Sequence, residues 1–228
     1  MSVRHCVVAA CAVAGFGSAA IAGPDWIERR DAGSTIGTAQ VPERPEGAPA
    51  LLSIAGTLAE GLDAPDYEDL YFIRITTPGS FSIRPAYADF NPVLYLFNVT
   101  VNGEGYGLLA NDDESLLSTL PKLVGMSNDG TQVIVSFPGD YVLAVTTQGR
   151  YPVSRTGAIF DLASPTEVSG PDGPGGINPL QGWEGSGQIG RYGFTLEATD
   201  FPRTPAPGAA LTLGLGGLLA TRRRRSRR

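Results

Sequence analysis

Beyond its first eleven residues this chain contains neither histidine nor cysteine. His5 is its single histidine, and Cys6 and Cys11 are its two cysteines. Whatever folds downstream therefore cannot assemble a Ser-His-Asp triad, a cysteine nucleophile, a haem ligand set or an ordinary zinc site. Disulfides inside the domain are excluded by the same count. Lysine is almost missing, Lys122 being the only one. No apolar run reaches the roughly 20 residues that a spanning helix needs. What is abundant is Gly, 30 residues, and Pro, 18, in a chain of 228. That frequency favours a turn-rich all-β protein over a helical bundle. With 42% hydrophobic residues, the chain can still bury a core.

The N-terminus reads as an export signal. Arg4 and His5 form a short basic start, and an apolar stretch of small residues follows from Cys6 to Ala22. Ala20-Ile21-Ala22 offers small side chains at the two positions a signal peptidase inspects, with cleavage before Gly23. A buried N-terminal helix and a lipoprotein box at Val8-Ala9-Ala10-Cys11 are the competing readings.

At the other end, Thr204-Pro205-Ala206-Pro207-Gly208 leads into a short apolar segment, residues 209–221, and then into Arg222, Arg223, Arg224, Arg225, Ser226, Arg227 and Arg228. A dozen helical residues extend about 18 Å, short of the roughly 30 Å hydrocarbon layer. Arginines resist translocation, so the tail is expected to stay cytoplasmic while the segment acts as a transient membrane anchor. Motif, short apolar run and arginine cluster, in that order, resemble the bacterial PEP-CTERM sorting signal, with Pro-Ala-Pro-Gly in place of its Pro-Glu-Pro core. The resemblance implies signal peptidase and an exosortase-type membrane enzyme as partners, removal of the tail, and delivery to the cell envelope or extracellular matrix. An uncleaved C-terminal anchor is the alternative.

Between these ends the charge is lopsided. Residues 23–203 hold all 23 acidic residues but only ten of the 17 Lys and Arg, a net charge of −13 against −6 for the whole chain. Nucleic acid would be repelled by such a segment and divalent cations attracted. A simpler function of the acidity is solubility after export.

Residues 23–50 read as an irregular lead-in broken by Pro and Gly. Period-two alternation starts near Leu51 and recurs through about eight short segments. They are 52–58, 69–76 (with Tyr71, Ile73 and Ile75 on one face), 80–84, 92–97, 106–110, 131–137, 141–147 and 191–198. Residues 92–97 are apolar on both faces, as in a strand covered from each side. Residues 131–137 and 141–147 flank Pro138-Gly139-Asp140 and predict a hairpin. The expected fold is a single all-β sandwich over 51–200 with Greek-key or jelly-roll connections, joined by residues 201–208 to the sorting helix. Residues 164–190 form a long Gly/Pro-rich excursion whose Trp183 is expected to cap the sandwich or to stack on a sugar.

Ile54-Ala55-Gly56-Thr57-Leu58, Asp69-Leu70-Tyr71-Phe72-Ile73, Leu94-Tyr95-Leu96-Phe97, Asn111-Asp112-Asp113 and Pro138-Gly139-Asp140-Tyr141-Val142-Leu143-Ala144-Val145 follow one another in the order seen in bacterial pre-peptidase C-terminal (PPC) domains. The chain resembles that family over residues 51–199. The resemblance implies a secreted β-sandwich of the kind that accompanies exported proteins, some of which bind calcium.

Two acidic clusters are candidate calcium ligands: Asp63, Asp66, Glu68 and Asp69 before one strand, and Asn111, Asp112, Asp113 and Glu114 after another. Calcium takes six to eight oxygens in flexible geometry, which loop carboxylates and carbonyls can supply. If the strand ends adjoin, the two clusters can share one ion. Asp and Asn also suit turns for reasons unrelated to metal. For catalysis only carboxylate pairs remain, which suffice for glycoside hydrolysis, and no motif marks one. Ser118 and Lys122 do not make a convincing dyad, because the amine would have to be buried. No catalytic residue is therefore assigned. The expectation is an exported, non-enzymatic structural or adhesive protein, in contact with extracellular polysaccharide and without a cofactor unless calcium binds. The alternatives are a calcium-dependent ligand-binding module and a carboxylate-only secreted hydrolase.

Overall fold

A computed structural model describes residues 24–59 and 65–203. The expected cleavage residues Ala20, Ala22 and Gly23, the sorting motif Pro205 to Gly208 and the arginine cluster Arg222 to Arg225 lie outside the described residues, as does Asp63.

Within these bounds the chain is built from strands and a single 3₁₀ turn at Pro78–Ser80. One five-stranded sheet contains β1 (Trp26–Ile27), β2 (Ser53–Leu58), β4 (Ser82–Ala88), β7 (Leu123–Val124) and β12 (Gly190–Glu197), in the order β1-β2-β12-β4-β7. A second contains β3 (Glu68–Ile75), β5 (Pro92–Val99), β6 (Gly105–Asn111), β8 (Gly139–Thr147) and β13 (Thr199–Asp200), in the order β13-β3-β8-β5-β6. A small third sheet joins β9 (Arg150–Ser154), β10 (Gly157–Ala158) and β11 (Gly182–Gly185). Among the described residues no helix is long and apolar enough to cross a membrane.

Alternation in the sequence becomes layering in space. Ile54 and Leu58 of β2, Ile83 of β4, and Tyr192, Phe194 and Leu196 of β12 face Tyr71, Ile73 and Ile75 of β3, Leu94 and Leu96 of β5, and Leu143 and Val145 of β8. These two inner faces form the main core of a β-sandwich. The opposite face of the second sheet is buried as well. Leu70 and Phe72, Val93, Tyr95 and Phe97, and Val142 and Ala144 lie beneath Ile36, Ala39, Ile159, Phe160 and Trp183. A strand covered on both sides has no polar face, which accounts for the unbroken apolar reading of β5. Trp183 is half-buried in this cover. Its ring meets Tyr95 and Phe97 edge-on, and its Nε1–H donates to the Ser34 carbonyl at 2.8 Å. It caps the outer face of the second sheet, so the long excursion is a packed layer.

The expected hairpin across Pro138-Gly139-Asp140 does not form. Gln132 has φ 59°, a left-handed conformation that interrupts an extended run. Residues 131–137 make one isolated bridge, Ile134 to Met126, and bury Val135 in the main core. Both edges of β8 are taken by β3 and β5, so no edge remains for the preceding segment. Among the described residues six of the thirteen strands were not expected: β1, β7, β10 and β13 are only two residues long, and β9 and β11 pair with each other across about thirty residues in the third sheet.

At Ala198, φ 57°, the chain leaves β12 in one sheet and enters β13 in the other. The lead-in also spans the sandwich. β1 pairs parallel to β2, while Gln40 donates its N–H to the Leu70 carbonyl and accepts from Phe72 N–H, both at 2.8 Å. The segment read as irregular therefore closes one side of the molecule, and its acidic residues reach the start of β3.

Candidate cation site

The lead-in is folded back by its own side chains. Gln40 Oε1 accepts from the Trp26 indole at 3.1 Å, and its Nε2 donates to the Arg29 carbonyl at 2.7 Å. Asp31 Oδ1 accepts the Gly33 N–H at 2.6 Å, a local Asx-type turn. These contacts carry Glu28 and Asp31 to the place where Asp66 and Asp69 enter β3. Carboxylate oxygens of Asp31, Asp66 and Asp69 all lie within 4.8 Å of one another. Glu28 completes the surroundings, its Oε2 accepting the Thr57 N–H at 2.8 Å. Only glycine fits at position 56 beside them, since a Cβ there would collide with Tyr192 Oη and Glu28 Oε2.

Asp69 is the innermost of the four, with 0% of its surface exposed. Its Oδ2 accepts from the Tyr192 hydroxyl at 2.6 Å, and that hydroxyl is bonded in turn to Tyr71 Oη at 2.6 Å. Because Tyr192 spends its proton on Asp69, Tyr71 is the donor of the second bond. Asp69 Oδ1 is buried without a hydrogen-bond partner. Among the described residues none of the four acids makes an ion pair. Burial, reinforced by the neighbouring acids, pushes Glu28 up to about 7 and Asp66 up to about 6. Burial and then the Glu28 charge hold Asp69 well above the usual carboxylate range.

An uncompensated buried carboxylate is costly. A divalent cation would compensate this one. Calcium–oxygen distances of about 2.3–2.6 Å place opposed ligands roughly 5 Å apart, so oxygens that all lie within 4.8 Å of one another can reach a single ion. All the donors are hard oxygens, and the described residues contain neither a thiolate nor an imidazole ligand. The residues present therefore fit calcium: Asp31, Asp66 and Asp69 would hold it, with Glu28 in its field.

The other expected ligands are placed differently. Glu68, 5% exposed, faces Arg150, which donates Nε–H to Oε2 at 2.8 Å and Nη2–H to Oε1 at 3.0 Å. That ion pair occupies both of its oxygens. The second cluster lies elsewhere on the same sheet end. Glu68 pairs with Thr146, Thr146 with Val93, and Leu94 with Asn111, so three strand intervals of about 4.8 Å, roughly 14 Å, separate the clusters. They do not share an ion. Asn111 spends its side chain on the backbone, donating to the Asp113 and Glu167 carbonyls at 3.0 and 2.8 Å and accepting Lys122 N–H at 2.6 Å. Glu114 is ion-paired with Lys122 at 3.2 Å. Asp112 lines a separate cleft, and Asp113 is half-buried with its Oδ1 unpartnered.

Sequence reasoning found Asp66 and Asp69 but missed Glu28, Asp31 and the Tyr71–Tyr192 pair. Spacing carries no signal for a contact between residues 31 and 66. For Glu28 and Asp31 only the overall acidic composition pointed to a cation. Comparisons with protein-family models, with curated proteins and with solved structures each found no match.

Proposed function

We propose that this chain is an exported, non-enzymatic structural or adhesive β-sandwich of the cell envelope or extracellular matrix. Calcium bound by Asp31, Asp66 and Asp69 fastens its lead-in to the sandwich. The observation that carries the calcium part is the unpartnered Oδ1 of buried Asp69, in a group of acids that makes no ion pair among the described residues. Such an ion acts on stability, because it binds the folded chain and not the unfolded one.

Export rests on the sequence. The Ala20-Ile21-Ala22 leader, the Pro205-Ala206-Pro207-Gly208 motif and the arginine cluster favour signal peptidase followed by an exosortase-type enzyme, with residues 209–221 as a transient anchor. The all-β domain and the PPC-like motif order are in keeping with that destination. A carboxylate-only hydrolase is less well supported. The open groove beside the site, of about 320 Å³, is lined by Pro24, Ile27, Thr57, Tyr87 and Arg191, with Glu28 as its sole acid, whereas glycoside hydrolysis needs two facing the substrate.

Mass spectrometry of the protein recovered from producing cells tests the export route. The expected product begins at Gly23 and has lost the arginine tail. An intact chain in the cytoplasm would refute it.

A further inference from the structure

On the outer face of the second sheet lies a cleft of about 290 Å³, whose lining shares none of the acids of the candidate cation site. Val93 and Tyr95 of β5 form its floor, and Pro152, Ala158, Phe160 and Leu162 from the covering layer form its walls. Asp112, Gln148 and Arg150 bring amide and charged groups to its lining. Two of these three are engaged. The Arg150 guanidinium is held by both oxygens of Glu68 and by the Gly185 carbonyl at 2.7 Å. Gln148 reaches Asp112 Oδ2 with a long bond of 3.4 Å. Asp112 itself is only 8% exposed, and its Oδ1 has no partner. A carboxylate therefore lines a largely apolar cleft with one oxygen unpaired and the other weakly paired.

We propose that this cleft binds a primary ammonium group carried on an apolar stem, the stem lying on Val93, Tyr95 and Phe160 and the ammonium meeting Asp112. An ammonium supplies three donors and no acceptor, which is what an acceptor-only carboxylate lacks. The broad terminal torsion of an aspartate lets either oxygen turn to the cleft. Tyr95 and Tyr151, the latter with 40% of its surface exposed, line the cleft, and aromatic rings attract a cation over their faces. The net charge of −13 on residues 23–203 draws cations from solution. The volume gives room for about ten non-hydrogen atoms of a guest, at roughly 30 Å³ for each water-sized unit. A free arylalkylamine and the side chain of a lysine in a polypeptide share this chemistry. A sugar does not, because most of the wall offers its hydroxyls no partner.

Titration calorimetry of the full chain with phenethylamine, 2-phenylethanol, Nα-acetyl-lysine amide and cellobiose separates these guests. Phenethylamine or the lysine amide is expected to bind at least about tenfold more tightly than the alcohol, since a charge-assisted hydrogen bond is worth roughly one tenfold step or more. A preference for phenethylamine identifies a free amine as the guest, and a preference for the lysine amide identifies a polypeptide. Asp112→Asn keeps the shape of the side chain and is expected to erase the difference. Ala158→Leu fills the cleft and is expected to abolish binding of every member. Unchanged near-ultraviolet circular dichroism establishes that each variant is folded. Equal affinity for amine and alcohol, binding of cellobiose alone, no binding by any probe, or amine binding that survives both substitutions would overturn the assignment.

Discussion

Replacing Asp69 with Asn should reverse the order of stability between two solutions. In a chelator the wild-type chain buries a carboxyl group among three other acids with one oxygen unpartnered. The amide keeps the shape, still accepts from Tyr192 through its oxygen, and removes a charge that Glu28, Asp66 and Asp31 repel. A gain of about 1 kcal/mol is expected, the size of one net hydrogen bond. For a domain of this size that raises the melting temperature by about 2–4 °C. In saturating calcium the balance changes sign. Free ion at about 100 times its dissociation constant stabilises the wild type by roughly 2.7 kcal/mol, or about 5–11 °C. The variant has lost the innermost ligand and should gain little. Differential scanning calorimetry near neutral pH, with and without calcium, reads both signs. A wild type that melts at the same temperature in chelator and in calcium would refute the reasoning, as would a variant that keeps the full calcium shift.

In chelator, stability should fall as pH rises from about 4 to 7. Glu28 and Asp66 titrate near 7 and 6 when folded but near 4 when unfolded, so the folded state holds more protons across that window and loses its advantage as they leave. Calcium should flatten or reverse this slope, and urea unfolding at a series of pH values measures it; a chelated protein whose stability rises over the same window would contradict the acid cluster. Arg150→Ala should cost about 3–5 kcal/mol, because it strands the buried Glu68 carboxylate and releases the Gly185 carbonyl. Glu68→Gln in the same background should recover part of that loss, and denaturant melts of the single and double variants would show it.

The core strands were readable because each carries its own periodicity. Tyr71, Ile73 and Ile75 alternate along β3, and β5 is apolar throughout because it is covered on both faces. The failed hairpin was a local inference from Pro138-Gly139-Asp140, defeated by distant strands that already occupied both edges of β8. Only half of the cation site was visible, since Asp66 and Asp69 sit three residues apart at a strand entrance. Glu28 and Asp31 lay in a stretch whose Pro and Gly gave no hint of where it would pack.

Residue types and their positions left no thiol or imidazole after residue 11, made the central segment strongly acidic and, with period-two alternation, favoured an all-β fold dense in turns, because each of these is a property of residue types and their local spacing. Which acids meet, that Glu68 is neutralised by Arg150 while Asp69 is left with a bare oxygen, and that Asp112 faces an apolar cleft were decided by the tertiary structure. Those facts depend on register between strands far apart in the chain, and electrostatic energy in a protein interior depends on distances of a few ångströms that no sequence separation encodes.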